Sequence, residues 1–203
     1  KEVFRKRART MASLRQFLDA RDYLEIESPI MQAIPGGANA KPFITHHHAL
    51  GVDLYLRVAQ ELAIKRCLVG GFERVYELNR NFRNEGLSTQ HNPEFTMLEY
   101  NEAYKDFNDY MDLTEEMLRE VAIDVTGSAV VNYQGTPIDF GKSFNRMTMA
   151  ESVCEFNPGL TSSDCIDIGP LTRLAQTLGI EVNDHHSAGE ILLSIFEETV
   201  EDK

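Results

Sequence analysis

The spacing of apolar and polar positions divides the chain into helices and strands. Between residues 3 and 21, Phe4, Ala8, Met11, Leu14 and Leu18 recur at helical spacing, which predicts an amphipathic helix. Residues 23–27 read as a short strand, stopped by Ser28-Pro29 because proline pushes the residue before it towards turn conformations. The small, aperiodic stretch Pro35-Gly36-Gly37-Ala38-Asn39-Ala40 predicts a loop. Residues 54–57 read as a short strand and 59–69 as a helix ended by Gly70-Gly71. Residues 73–83 and 94–103 predict an antiparallel pair of strands. The polar loop between them, 84–93, is long for a hairpin, and long ordered loops tend to carry function. The clearest helix covers 106–126, with Phe107, Tyr110, Met117, Val121 and Val125 on one face and Gly127 at the stop. Residues 130–133 and 137–140 predict a small hairpin around Gln134-Gly135. Capping boxes at Thr148/Glu151 and Ser187/Glu190 open two later helices, and another starts near Pro170. With no internal repeat, linker or low-complexity segment, the pattern is α+β: an antiparallel sheet flanked by helices.

Composition bounds this picture. At 203 residues, 42% hydrophobic and 26% charged, the chain is one domain or a piece of a larger one, with enough apolar residues for a core. No apolar run approaches the length of a membrane span, and the charged residues 1–9 have no apolar segment behind them, which excludes a signal peptide. Cys67, Cys154 and Cys165 are scattered and odd in number, which speaks against a disulfide framework and for a reducing cytoplasm. A formal charge of −12 argues against a dedicated nucleic-acid-binding domain. The charge is uneven, however: residues 1–21 hold seven basic and two acidic side chains, a balance of +5 that leaves −17 for the remainder. Such a basic helix is either a solvated face or an approach to RNA or an acidic partner.

Several residues invite a reading that their context does not support. His46-His47-His48 with His91 suggests a metal, but adjacent histidines on an extended segment point in opposite directions and no second ligand pair sits at zinc spacing. They read as loop residues with substrate contacts, and His185-His186 as solvent-exposed loop. Asp106, Asp109 and Asp112 complement the dipole of the helix they open and lack the spacing of a calcium loop. Cys67, Met111 and Met117 read as core.

The strand 74–83 carries the chemistry. Val75, Glu77, Asn79, Asn81 and Arg83 fall on one face, and on the next strand Phe95, Met97, Glu99 and Asn101 share a face. A mostly polar strand face either meets water or lines a site. Pairing the two strands would gather Arg83, Glu85, Phe95 and Glu99. Arginine grips phosphate or carboxylate in two-pronged fashion, an aromatic stacks on a base, and carboxylates hold ammonium groups. That set suits a nucleotide and an amino acid, and it equally suits a polar sheet surface with an ordinary ion pair.

Four segments carry a resemblance. Phe82-Arg83-Asn84-Glu85-Gly86, followed by His91-Asn92-Pro93-Glu94-Phe95-Thr96-Met97-Leu98-Glu99, resembles motif 2 of class II aminoacyl-tRNA synthetases in its lysyl version. Val69-Gly70-Gly71-Phe72-Glu73-Arg74-Val75-Tyr76-Glu77 resembles the approach to it. The stretch from Ile34-Pro35-Gly36-Gly37-Ala38 to Pro42-Phe43-Ile44-Thr45-His46-His47 is similar to the lysyl amino-acid loop, and Tyr23-Leu24-Glu25-Ile26-Glu27-Ser28-Pro29 to motif 1. The likeness is strong over residues 3–120 and looser beyond. It implies an ATP-dependent ligase that activates lysine to lysyl-adenylate and transfers it to tRNA(Lys), as a cytoplasmic homodimer joined through the motif 1 region. In that family Arg83 would match the arginine bridging the α-phosphate of ATP and the amino-acid carboxylate, and Phe95 the aromatic that stacks on adenine. Glu85, His91 and Asn92 would lie where the motif 2 loop meets adenine, the phosphates or the tRNA end. Gly37, Glu61 and Glu99 would match lysine-pocket positions.

The sequence departs from the family in places. Asn101 stands where lysyl enzymes usually carry a tyrosine at the end of the pocket, which leaves lysine or an analogue as substrate, and Ala63 replaces a residue that is usually aromatic. Motif 3, the late acidic residues that hold Mg2+ and the anticodon-binding barrel have no counterpart in residues 1–203. The resemblance therefore predicts a partial catalytic domain that does not charge tRNA alone and has no metal site in this segment. Two other readings stay open: a paralogue that uses the same adenylate to modify a protein, and a non-catalytic module that dimerises or binds ligand.

Overall fold

A computed structural model of the chain describes residues 1–89 and 91–201, and the chain forms two units, Lys1–Ser143 and Phe144–Lys203. The first unit begins with helix α1, Glu2–Asp19, two residues shorter at its end than the apolar period predicts. The chain turns out of it through Asp22, at φ 62°, with the Tyr23 amide returning to the Leu18 carbonyl at 3.1 Å. The predicted apolar stripe is only half used within the monomer. Leu18 is buried and Met11 and Leu14 pack against the core, joined by Phe17, but Phe4 is 79% exposed.

Three basic residues of this helix and the turn after it meet acidic ones within the same unit. Helix α3, Phe107–Thr126, receives Arg9 at Asp124 (2.9 Å) and Arg21 at Glu116 (2.9 Å) and Glu120 (3.3 Å), while Arg15 meets Glu25 at 2.9 Å. Arg21 also lies 3.5 Å above the Phe17 ring. Much of the local positive charge is thus answered inside the fold.

The main sheet has three strands. β1, Leu24–Glu25, runs parallel to β5, Arg74–Phe82, and β5 pairs antiparallel with β6, Glu94–Glu102. The expected antiparallel β5–β6 pair forms, and β1 adds a two-residue parallel contact at its edge. The parallel direction follows from the chain leaving β1 and returning to β5 only after a second small sheet and a helix. That second sheet has order β2-β4-β3, built from Met31–Gln32, Val52–Leu56 and Ile44–His47. Helix α2, Glu61–Val69, then leads into β5 and ends at Gly70.

Between α1, α3 and the main sheet lies a core of Phe17, Leu18, Tyr23, Tyr76, Leu78, Met117 and Val121. Phe107, expected on the inner face of α3, is 73% exposed because it occupies the first turn, beside the capping box that Asp106 forms with Asp109. Cys67 and Met111, read as core, are only half-buried. The hairpin of β7, Val130–Tyr133, and β8, Thr136–Asp139, turns through Gln134 and Gly135, both at positive φ.

The second unit is helical: α4, Met149–Phe156; a 3-10 turn, Asp164–Ile166; α5, Ile168–Thr177; and α6, Ala188–Thr199. Its core is Val153, Leu171, Ala175, Ile191 and Ile195. Both predicted capping boxes form, at Thr148/Glu151 and Ser187/Glu190, and Asp167 caps α5 just ahead of Pro170.

Candidate active site on the central hairpin

The register of β5 against β6 sets Asn81 opposite Phe95, Glu77 opposite Glu99 and Val75 opposite Asn101. Residues directly opposite in an antiparallel pair share a face. Phe95, Glu99 and Asn101 therefore line up on the polar face of β5. Arg83 follows the last residue of β5, and its amide still bonds the Pro93 carbonyl at 2.9 Å, so its position is fixed by the ladder. The Arg83 guanidinium carbon lies 5.3 Å from the Phe95 ring centroid, within the ~6 Å reach of a cation–π contact. Both line a cavity of about 240 Å³ with Glu85, Gly86, His91, Asn92 and Pro93. The loop at its mouth is held by its own side chains. The Ser88 hydroxyl and His91 Nδ1 are 2.8 Å apart, and Asn92 Nδ2 donates to the Glu94 carbonyl at 2.8 Å.

The Gly-Gly loop docks beside this cavity. The Asn84 amide donates to the Lys41 carbonyl at 2.7 Å, and the Lys41 amide donates to Glu85 Oε1 at 3.2 Å. Glu85 thus clasps the incoming segment as well as lining the cavity. Gly37 sits at φ 92°, and a Cβ there would come within 3.3 Å of Ala59 Cβ and 3.5 Å of Glu61 Cβ. Only glycine takes that backbone shape at little cost while lying so close to the start of α2.

Glu61, in the first turn of α2, lies close enough to Glu99 for its charge to act on the Glu99 carboxyl. Burial, then the Glu61 carboxylate, holds the Glu99 carboxyl above the usual carboxylate range, against a hydrogen bond from the Gln60 backbone. Glu61 is partly neutralised by Lys65 one turn on. Two neighbouring carboxylates, one desolvated, form a site that a cation would relieve.

On this same face lies a buried polar network that the sequence reading missed. Arg57 and Glu77 form an ion pair at 2.6 Å with side-chain exposures of 0% and 1%. Arg57 also donates to the Arg80 carbonyl (2.9 Å) and to the Ser28 carbonyl and hydroxyl (3.1 and 2.8 Å). Glu77 accepts from the Ser28 amide, the Ser28 hydroxyl and Asn79. Gln60, at the start of α2, donates to the Glu77 and Met97 carbonyls (2.7 and 3.2 Å) and accepts from Asn81 at 2.9 Å. This network ties the segment after β1, α2 and both central strands together beside Glu99. Arg57 Nη2 and Asn81 Oδ1 are its unpartnered buried atoms among the described residues. The available signal was Arg57 and Gln60 flanking the apolar pair Val58-Ala59, where an amphipathic surface would not place them.

His46 bonds Asp53 at 2.7 Å and packs edge-on against His48, apart from the cavity lining. Among the described residues no three His, Cys, Asp or Glu side chains gather in a metal-binding group. No helix among them is long and apolar enough to cross a membrane.

Comparison with known proteins places this arrangement. The family model "tRNA synthetases class II (D, K and N)" matches residues 1–193. The chain is 55% identical over 201 residues to a lysine–tRNA ligase of Thioalkalivibrio sulfidiphilus, covering 99% of this chain and 40% of that protein. It is 53% identical over 201 residues to one of Xanthomonas campestris pv. campestris and 50% identical over 206 residues to one of Aeromonas hydrophila, with the same coverages. The chain thus spans about 40% of the length of these curated relatives. The motif 2 hairpin, the docked Gly-Gly loop and these matches agree: the chain belongs to the class II aminoacyl-tRNA synthetases of the D, K and N group.

Proposed function

We propose that this chain supplies the ATP- and lysine-gripping part of a lysine–tRNA ligase active site. The observation that carries the proposal is the β5–β6 register, which aligns Phe95 and Glu99 along one polar face, with Arg83 just past the end of β5 and 5.3 Å from the Phe95 ring. The relatives' shared name supports lysine as the amino acid. In this reading the lysine carboxylate attacks the α-phosphate of ATP in line, pyrophosphate leaves, and the lysyl group passes from the adenylate to the end of tRNA(Lys). Arg83 is a fixed cation between the two reacting groups. It holds them together and offsets charge developing at phosphorus. Phe95 stacks on adenine, while Glu85, His91 and Asn92 meet adenine, the phosphates or the tRNA end. Gly37 lets the backbone approach the amino acid, and Glu61 and Glu99 take its ammonium groups. Asn101 closes the far end of the pocket with an amide. Mg2+ accompanies ATP and neutralises its phosphates.

The homodimer belongs to the same proposal. Val3 and Phe4 on α1 are 76% and 79% exposed, and a second copy meeting α1 and β1 would cover them. The cytoplasm is the compartment that suits three free thiols. Calorimetric titration of ATP and then lysine into the chain tests the reading, with Arg83→Ala and Glu99→Gln beside it. Loss of ATP binding in the first variant and of lysine binding in the second supports it. Equal binding by all three forms overturns it.

A further inference from the structure

Away from the site, two thiols meet. Cys154 lies on α4, and Cys165 lies in the 3-10 turn that follows a loop containing Gly159 at φ 103°. Their sulfurs are 3.5 Å apart. Cys165 is 3% exposed and Cys154 is half-buried. The intervening loop is closed on itself by the Leu160 amide to the Asn157 carbonyl (3.1 Å) and the Thr161 amide to Asp164 (2.8 Å). These bonds order the loop that leads into the turn, and the Cys165 thiol also meets the Ala150 carbonyl of α4 at 3.8 Å. From this contact a disulfide needs the sulfurs to approach by roughly 1.5 Å, within the reach of small χ1 adjustments. Cys67 lies in the other unit.

We propose that Cys154 and Cys165 are a paired modification site, which a low-molecular-weight disulfide of the glutathione class converts to an intramolecular disulfide that staples α4 to the 3-10 turn. The Cys154 thiolate attacks one sulfur of the small disulfide, giving a mixed disulfide and releasing one small thiol. Cys165 then gives up its proton to solvent and attacks the Cys154 sulfur, releasing the second small thiol. The protein pair is oxidised by two electrons, and the small disulfide is reduced to two thiols. Cys154 is the entry point because it is the more accessible sulfur, whereas burial and the neighbouring Cys154 sulfur push the Cys165 thiol up. A contact preformed by folding makes the bond more favourable in the folded chain than in the unfolded one, and the bond stabilises the second unit by the same factor.

The test equilibrates the full chain, folded and in denaturing urea, with glutathione buffers of defined ratio, quenches with acid, and maps disulfides by mass spectrometry. The expected result is a Cys154–Cys165 link with Cys67 still a thiol, and a linking equilibrium about 30-fold or more in favour of the folded chain. Repeating the measurement on Cys67→Ser keeps the outcome independent of that thiol. An equal or smaller equilibrium in the folded chain overturns the proposal. So does accumulation of glutathione on Cys154 with Cys165 left reduced.

Discussion

Replacing Arg57 by methionine removes a cation whose side chain is wholly buried while keeping most of its length. The Glu77 carboxylate, itself 1% exposed, keeps the Ser28 amide and hydroxyl and the Asn79 amide but loses the cation paired with it. The Arg80 carbonyl and the Ser28 carbonyl each lose a donor. Breaking a buried pair from one side costs about 3–5 kcal/mol, because a charge is left without compensation. Against a typical domain stability of roughly 5–15 kcal/mol, that is a large share. Urea unfolding followed by tyrosine fluorescence measures it cleanly. The chain has no tryptophan, and all seven tyrosines lie within Lys1–Ser143, so the signal reports the unit that contains the pair. The companion variant Arg57→Met/Glu77→Leu removes both charges and should recover much of the loss, with a coupling on the order of 2–3 kcal/mol. A cost below about 1 kcal/mol for Arg57→Met, or strictly additive effects in the double variant, would refute the view that this pair braces the site.

Three further outcomes follow from the site itself. Phe95→Ala should weaken ATP binding by about 1–3 kcal/mol, the scale of base stacking on an aromatic, while leaving lysine binding intact in calorimetry. Because the folded-state pKa of Glu99 is raised, its protonated form favours the fold: that contribution is fully present at pH below its unfolded value and is lost as pH rises through the folded value. Urea midpoints of Glu99→Gln should therefore lack this fall, and an unchanged pH profile would exclude Glu99 as its source. Gly37→Ala should cost about 1 kcal/mol or more in unit stability from the positive φ alone, with a larger loss of lysine affinity as the loop moves off Ala59 and Glu61.

What could be read from the sequence followed physical periodicity. The alternation along β6 puts Phe95, Glu99 and Asn101 on one face, and the register sets them opposite Asn81, Glu77 and Val75 of β5; of the four residues expected around one pocket, Arg83, Glu85 and Phe95 line the cavity and Glu99 lies outside its lining. Capping boxes at Thr148 and Ser187 were legible because each is a local exchange of hydrogen bonds. The two-residue β2 and the histidine-bearing β3 are too short and polar to show a period, and β4 shows one only in part. Phe107 was misplaced because helical spacing does not distinguish a first-turn residue from an interior one. The Arg57–Glu77 pair was invisible because two charged residues twenty positions apart look like two surface residues until the sheet stacks motif 1 over them. The meeting of Cys154 and Cys165 depends on a left-handed glycine turn, which no spacing rule supplies.

The central claim is that ATP and lysine share the polar face of the β5–β6 hairpin. Amide chemical-shift mapping with a non-hydrolysable lysyl-adenylate analogue tests it most directly, because mapping detects weak binding and locates it. The account predicts saturable shifts at Gly37, Glu61, Arg83, Phe95 and Glu99, with Phe144–Lys203 unmoved. Saturable shifts confined to other surfaces, or none at these five residues at millimolar analogue, would contradict it.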